Sequence, residues 1–165
     1  MYYAAIRMTE AGSVRLLADA QESIPVIARW YKDEWADWFS DTSVDEIEAD
    51  LRHVANRDRL PLALLVFDKD ATLLGVCSIR DDPFKPYPHV GPWLRGLYVH
   101  APFRGVGVAG LLIGAACEHA KRLQLPKLYA STQSAIGTFE RAGWLGFDQV
   151  PHEGQVVTIF AKRTA

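Results

Sequence analysis

Hydrophobic and polar positions repeat along this chain with two different periods, and the points where the period changes mark its elements. Tyr3-Ala4-Ala5-Ile6-Arg7-Met8 predicts a short first strand, followed by a turn over residues 9–13. From Ser23 to Phe39 the apolar residues Ile24, Ile27, Tyr31, Trp35 and Trp38 recur at steps of three and four, which predicts an amphipathic helix that tolerates Pro25 in its first turn. Ser43-Val44-Asp45-Glu46 is a capping box, and Val44, Ile47, Leu51 and Val54 mark one face of the helix it opens, ending near Asn56. Residues 62–67 are almost continuously apolar, which predicts a strand covered on both faces; a hairpin turn at 68–71 leads to a second strand over 73–79.

Residues 80–92 carry four prolines and form a stiff loop. Trp93 to Val99 is the next strand, and Gly96 inside it predicts a bulge or a close backbone approach. Val108, Leu112, Ala116, Ala120 and Leu123 then form a helical stripe as far as about Gln124. A strand over 126–132, a short helix from Ser134 to Arg141 stopped by Ala142-Gly143, and two strands over 144–150 and 155–161 complete the chain. This order predicts one α/β (α+β) domain over residues 1–165. Its sheet is mixed and mostly antiparallel, about seven strands flanked by about four helices, with one parallel pair bridged by the long helix.

Composition narrows the function classes. The 165 residues are 49 % hydrophobic and 23 % charged with a net charge of -2, so no basic surface favours nucleic acid as a partner. No apolar run reaches the roughly 20 residues that span a membrane, and Met1 to Arg7 lacks a secretory pattern, so the expected location is the cytoplasm, with no membrane partner. Cys77 and Cys117 lie in apolar settings without neighbours at metal-ligand spacing; they are expected to be packing residues, and no metal site is expected.

The chemistry concentrates where the central strand ends. Leu97-Tyr98-Val99 is followed by Arg104-Gly105-Val106-Gly107-Val108-Ala109 and then a helix start, an arrangement that brings free backbone N–H groups and the positive end of a helix dipole to one spot suited to phosphate. The loop lacks the Lys-Ser/Thr pair of a P-loop. A dinucleotide site is disfavoured too, because the glycines lie past the middle of a mixed sheet rather than in a first β-α-β unit.

Arg104 to Ala109 resembles the R-x-x-G-x-A signature of the GNAT superfamily of acetyl-CoA-dependent N-acetyltransferases, and Thr138-Phe139-Glu140-Arg141-Ala142-Gly143-Trp144 is similar to its second signature, F-Y-E-K-x-G-F. The resemblance implies an enzyme that moves an acetyl group from acetyl-CoA to a primary amine of a small molecule or peptide, by direct attack in a ternary complex. It leaves room for a homodimer. It implies donor binding by Leu97, Tyr98 and Val99 along the pantetheine, by Arg104, Gly105, Val106, Gly107, Val108 and Ala109 around the pyrophosphate, and by Thr132 and Phe139 nearby, with the thioester carbonyl polarised by a backbone N–H of the strand, Val99 in first place. Phe139 stands where many members carry a proton-donating Tyr, which leaves Tyr98, Tyr129 or water for that task. The central strand carries no carboxylate, so candidates for the base or for acceptor-side work are Asp82, Asp81 and His89 in the proline-rich loop. The acceptor is expected among Trp30, Tyr31, Glu34 and Trp35, with Phe84, Tyr87, His89 and His152 as further candidates. The alternative is an acyl-CoA-binding or regulatory module with little turnover, and transfer of a longer acyl group is a third option.

Overall fold

The computed structural model describes residues 12–165, so the strand expected at 3–8 lies outside the described residues. The elements are β1 (Ser13–Leu16), α1 (Ile24–Glu34), α2 (Val44–His53), β2 (Leu62–Phe67), β3 (Leu73–Arg80), β4 (Trp93–Val99), α3 (Val108–Arg122), β5 (Lys127–Thr132), α4 (Ile136–Arg141), β6 (Leu145–His152) and β7 (Gln155–Arg163). The seven strands make one sheet in the order β1-β2-β3-β4-β5-β7-β6. Among the described residues only the β4–β5 pair is parallel, and α3 supplies its crossover. No helix of the described residues is long and apolar enough to cross a membrane.

β1 was not among the expected strands. Its four residues pair antiparallel with Leu64–Phe67 of β2 where a turn was expected to be ending. Val14 and Leu16 alternate with Ser13 and Arg15, but four residues are too few for the period to stand out. β2 is buried at all six positions, as its continuous apolarity requires. Alternate side chains divide between the two faces. Leu62, Leu64 and Val66 pack with Val108, Leu112 and Ala116 of α3, while Ala63, Leu65 and Phe67 pack with Ile27, Tyr31, Ile47 and Leu51 of α1 and α2.

α1 stops at Glu34 rather than running to Phe39. Trp35 leaves the helical region at φ -115, ψ 50, and the Lys32 ammonium donates to the carbonyls of Phe39 and Thr42, folding the next segment back. Trp38 is therefore carried on a turn instead of a helical face. The Ser43 half of the capping box forms, with Glu46 N–H donating to Ser43 Oγ at 3.1 Å.

Candidate functional site

β4 and β5 are in register only at Trp93 and Tyr129, after which the two strands part. His100 N–H donates to Leu74 O at 2.9 Å, so by strand alternation the main-chain groups of Tyr98 also address β3 while those of Leu97 and Val99 address the open edge. This opening leads to the glycine loop. Residues 101–103 make one 3-10 turn, Gly105 and Gly107 take φ +78 and +93, and α3 starts at Val108. Both left-handed residues must be glycine to avoid strain. Among the described residues no side chain caps α3, and its first turn contains no acid, so the amides of Val108, Ala109 and Gly110 have no partner within the fifteen-residue helix at its positive end. A Cβ placed on Gly105 would meet no atom within 4 Å, so this side of the cradle is open. The residues present therefore fit the pyrophosphate of a CoA-type ligand.

Arg104 fastens this loop in place. Its Nε donates to Val99 O at 2.8 Å, its guanidinium lies 3.5 Å from the Glu34 carboxylate, and it covers the Tyr98 ring at 5.5 Å. Two of the other expected donor-site residues use their side chains internally. Thr132 Oγ1 accepts the Ala135 N–H at 2.9 Å ahead of α4, and Phe139, 2 % exposed, packs on Trp144 and Phe160 with ring centroids 5.1 and 5.4 Å away.

The face beneath α1 is a packed aromatic group. Trp30 stacks on His100 at 4.7 Å and approaches Tyr98 at 5.2 Å, while Trp35 lies 5.0 Å from Tyr31. Tyr31 is 7 % exposed, and its hydroxyl donates to Gly96 O at 2.7 Å. Burial, with a smaller contribution from Cys77, pushes the Tyr31 phenol far above its ordinary range, so it remains a donor. The bulge expected at Gly96 is present: β4 takes one residue more than β3 between Val76 and Ser78, and Gly96 adopts φ +62. Ser78 Oγ donates to Arg95 O at 3.2 Å in the same place.

The proline-rich loop sits at the other end of β4. At a strand rise of roughly 3.3 Å per residue the seven residues of β4 separate its two ends by about 20 Å. Asp81 and His89 line a shallow surface depression there with Leu60, Pro92 and Leu125. Asp82 instead grips β4: its carboxylate accepts from Arg95 Nη1 at 2.7 Å and its carbonyl from Nη2 at 3.1 Å. Burial lowers the Arg95 guanidinium from its ordinary value, opposed by Asp82. Neighbouring Arg80 is bound by both carboxylate oxygens of Asp50, at 3.1 and 2.5 Å.

Three distant segments meet beside this end. Phe84 packs edge-on against His152 at 4.8 Å, Trp38 lies 6.3 Å from His152, and the Tyr87 hydroxyl donates to the Asp148 carboxylate. Trp38 is 60 % exposed and Phe84 only 7 %, so the indole is the ring of this group most open to solvent. Sequence reasoning missed Ser78 and Asp148. A hydroxyl inside the apolar run 73–79 was the available signal for Ser78; nothing local distinguished Asp148.

The family model described as Acetyltransferase (GNAT) family matches residues 24–144, a span containing the glycine loop, the bulge and α4. No curated protein matches the chain. Among solved structures, a spermidine/spermine N-acetyltransferase from Vibrio cholerae is similar over 92 % of this chain and 92 % of that one, at 19 % identity and a TM-score of 0.70. A probable acetyltransferase from Staphylococcus epidermidis is similar over 93 % and 99 %, at 17 % identity and a TM-score of 0.66. An aminoglycoside 6'-N-acetyltransferase complexed with coenzyme A is similar over 84 % and 89 %, at 13 % identity and a TM-score of 0.66. These likenesses share the mixed sheet and its flanking helices.

Proposed function

The chain belongs to the GNAT acetyltransferase family, and from that premise we propose that residues 1–165 act as one domain transferring an acetyl group from acetyl-CoA to a primary amine of a small molecule or peptide, by direct attack in a ternary complex. The observation that carries this is the parting of β4 from β5 directly beside an uncapped α3 behind Gly105 and Gly107. The main chain of Leu97 and Val99 would hold the pantetheine as an added strand, and the amides from Arg104 to Ala109 the pyrophosphate. Arg104 serves by shaping the loop, since its Nε is committed to Val99 O. We assign Thr132 and Phe139 to the frame of the site, because their side chains are engaged elsewhere. Acetyl-CoA supplies an activated acyl group: the amine nitrogen bonds to its carbonyl carbon as the C–S bond breaks, and the ammonium proton leaves to a base while the thiolate gains one.

For the acceptor we assign the aromatic group of Trp38, Phe84 and His152, while Trp30, Trp35 and Glu34 lie nearer the glycine end, Trp30 on His100, Trp35 beside Tyr98 and Glu34 beside Arg104. Of Asp81, Asp82 and His89, Asp82 is the one attached to β4, through Arg95, and we assign it to the acceptor side. The exposed Trp38 ring and the run of exposed acids Asp33, Glu34, Asp37 and Asp41 favour a cationic amine approaching from solvent. We place the acceptor among free molecules of the cytoplasm rather than nucleic acid or membrane. A homodimer is compatible with the exposed Leu145 and Phe147 on the outer strand β6.

Calorimetric titration with acetyl-CoA is the primary test. Binding is expected, and no heat at tens of micromolar would overturn the assignment. Thiol release should then be followed with a panel of spermidine, an aminoglycoside and peptides with free N-termini, each as a source of primary amine. Phe139, locked in the core where a proton donor often stands, favours one second reading, a CoA-binding module with little turnover. Tight binding with no thiol release across the panel would select it. Acyl-CoA donors of increasing chain length would set the acyl group.

A further inference from the structure

The β4 bulge is held from one side by two hydroxyl groups. In a regular strand a carbonyl finds its partner in the next strand, but the extra residue of a bulge falls out of the ladder and its carbonyl must be satisfied otherwise. Here Tyr31 Oη donates to Gly96 O at 2.7 Å, and Ser78 Oγ donates to the preceding carbonyl, Arg95 O, at 3.2 Å. The Ser78 hydroxyl is itself oriented: Arg80 Nε donates to it at 3.3 Å, which leaves its own proton for Arg95 O, and Asp50 holds Arg80. A Cβ on Gly96 would lie 2.7 Å from Tyr31 Oη, so the glycine is needed for the contact as well as for its φ of +62.

A trans peptide is a rigid plane in which the C=O and N–H point in opposite directions. The peptide whose oxygen Tyr31 holds is the one whose N–H belongs to Leu97. Fixing Gly96 O toward α1 therefore turns the Leu97 N–H away from α1, in a residue that lies in the bulge, unpaired with β3, and past the point where β4 is in register with β5. Donation to the oxygen also polarises the peptide and makes its N–H a stronger donor.

We propose that Tyr31 and Ser78 are positioning residues, which clamp the two successive carbonyls of the bulge and so aim the Leu97 N–H at the thioester carbonyl of the donor. This rests on the acetyl-transfer reading above, moves the polarising amide from Val99 to Leu97, and gives Tyr31 a role other than lining the acceptor pocket. Tyr31, almost wholly buried, has its hydroxyl on the main chain rather than in an open space.

The test needs no knowledge of the amine. Acetyl-CoA labelled with carbon-13 at the carbonyl is bound to the protein, and its C=O stretch is read by isotope-edited infrared difference spectroscopy. In the unaltered protein the band is expected below its position in water. In Tyr31→Phe it should return toward that position while the calorimetric Kd for acetyl-CoA changes less than about threefold, because the phosphate cradle is untouched. Turnover with any active amine should fall about tenfold or more with the amine KM nearly constant, the pattern of an aim lost by a fraction of an ångström. Ser78→Ala should give a smaller shift of the same sign, and Ser78→Thr, which keeps a hydroxyl, should restore the band; this pair serves if Tyr31→Phe does not fold. An unshifted band in the unaltered protein, a band that Tyr31→Phe and Ser78→Ala leave in place, or a Tyr31→Phe effect confined to the amine KM would each overturn the proposal. Failure of the unaltered protein to bind acetyl-CoA would instead overturn the acetyl-transfer reading and this inference with it.

Discussion

At its glycine end, β4 offers a ligand almost nothing but main chain: the open edge of Leu97 and Val99, two left-handed glycines and the first amides of α3. At its other end the protein offers side chains, the rings of Trp38, Phe84 and His152 and the paired charges of Asp82 and Arg95, delivered by four separate stretches of chain. The difference follows from the two proposed ligands. A CoA arm has the same amides and phosphates for every member of a family, so backbone groups in a fixed geometry suffice. An amine acceptor differs from one enzyme to the next and has to be recognised by side chains that can be exchanged without disturbing the sheet. Between the two ends lies the bulge, held by Tyr31 and Ser78, where the ligands would meet.

The sharpest way to break this division is at its midpoint. Gly96→Ala forces a side chain into a left-handed conformation and places its Cβ 2.7 Å from Tyr31 Oη, so a loss of about 3 kcal/mol is expected from backbone strain and the displaced hydrogen bond together. Thermal unfolding would read this as a drop of about 6–12 °C for a chain of this size. Adding Tyr31→Phe removes the contact, so the double variant should be no less stable than Gly96→Ala alone; additive losses would show that the two residues are not coupled.

Next in size is a change at the main-chain end. Gly107→Ala, at φ +93, puts a methyl group against the proposed pyrophosphate cradle and should weaken acetyl-CoA roughly thirtyfold, the loss of about one hydrogen bond to a charged group at 2 kcal/mol. The melting temperature should fall less, by about 2–4 °C, for about 1 kcal/mol of strain. A larger loss of stability than of binding would mean that Gly107 serves the fold first.

These two ends were unequally legible in the sequence for the same reason that they differ in construction. A main-chain site needs glycines at fixed offsets from a strand end and a helix start, so Arg104 to Ala109 could be read as a cradle from one short stretch, and Gly96 as a bulge. The side-chain end is assembled by contacts across long sequence separations. Tyr87 finds Asp148 sixty-one positions away, and the Tyr31 hydroxyl finds Gly96 sixty-five positions away. Helical periodicity puts Tyr31 on the inner face of α1 correctly but says nothing of where its hydroxyl ends, and an acceptor wall and a backbone clamp look alike at that level. Trp38 illustrates the converse. It continues the three-and-four spacing of α1, yet the helix ends before it and the indole is delivered to an exposed turn.

At the side-chain end the expected effect is smaller and confined to the amine. Trp38→Ala removes an exposed ring, so stability should change by no more than about 0.5 kcal/mol. The KM for a cationic amine should rise about threefold, the worth of one exposed cation–π contact, with the acetyl-CoA Kd unchanged. An equal effect on an acceptor amine with no positive charge would point to plain apolar packing, and a change in acetyl-CoA affinity would erase the division between the two ends.

The smallest effect at neutral pH belongs to the bulge again, and it appears only in alkali. Tyr31 is buried as a neutral phenol whose pKa lies well above its ordinary 10.0, raised chiefly by burial and then by Cys77. A group bound more tightly to its proton when folded contributes stability that is complete below its unfolded pKa and declines as pH rises beyond it. Loss from Tyr31 should therefore begin near pH 10, at up to about 1.4 kcal/mol per pH unit. Cys77, also buried and pushed up to about 12 from 9.0, adds a similar loss from about pH 9. In Tyr31→Phe the first of these slopes disappears, so its urea-unfolding free energy should fall less steeply than that of the unaltered protein above pH 10, although it starts lower at pH 7. Identical slopes would mean that the phenol ionises without cost and is open to solvent in the folded state, which would return Tyr31 to the acceptor side of the site and leave the bulge without its clamp.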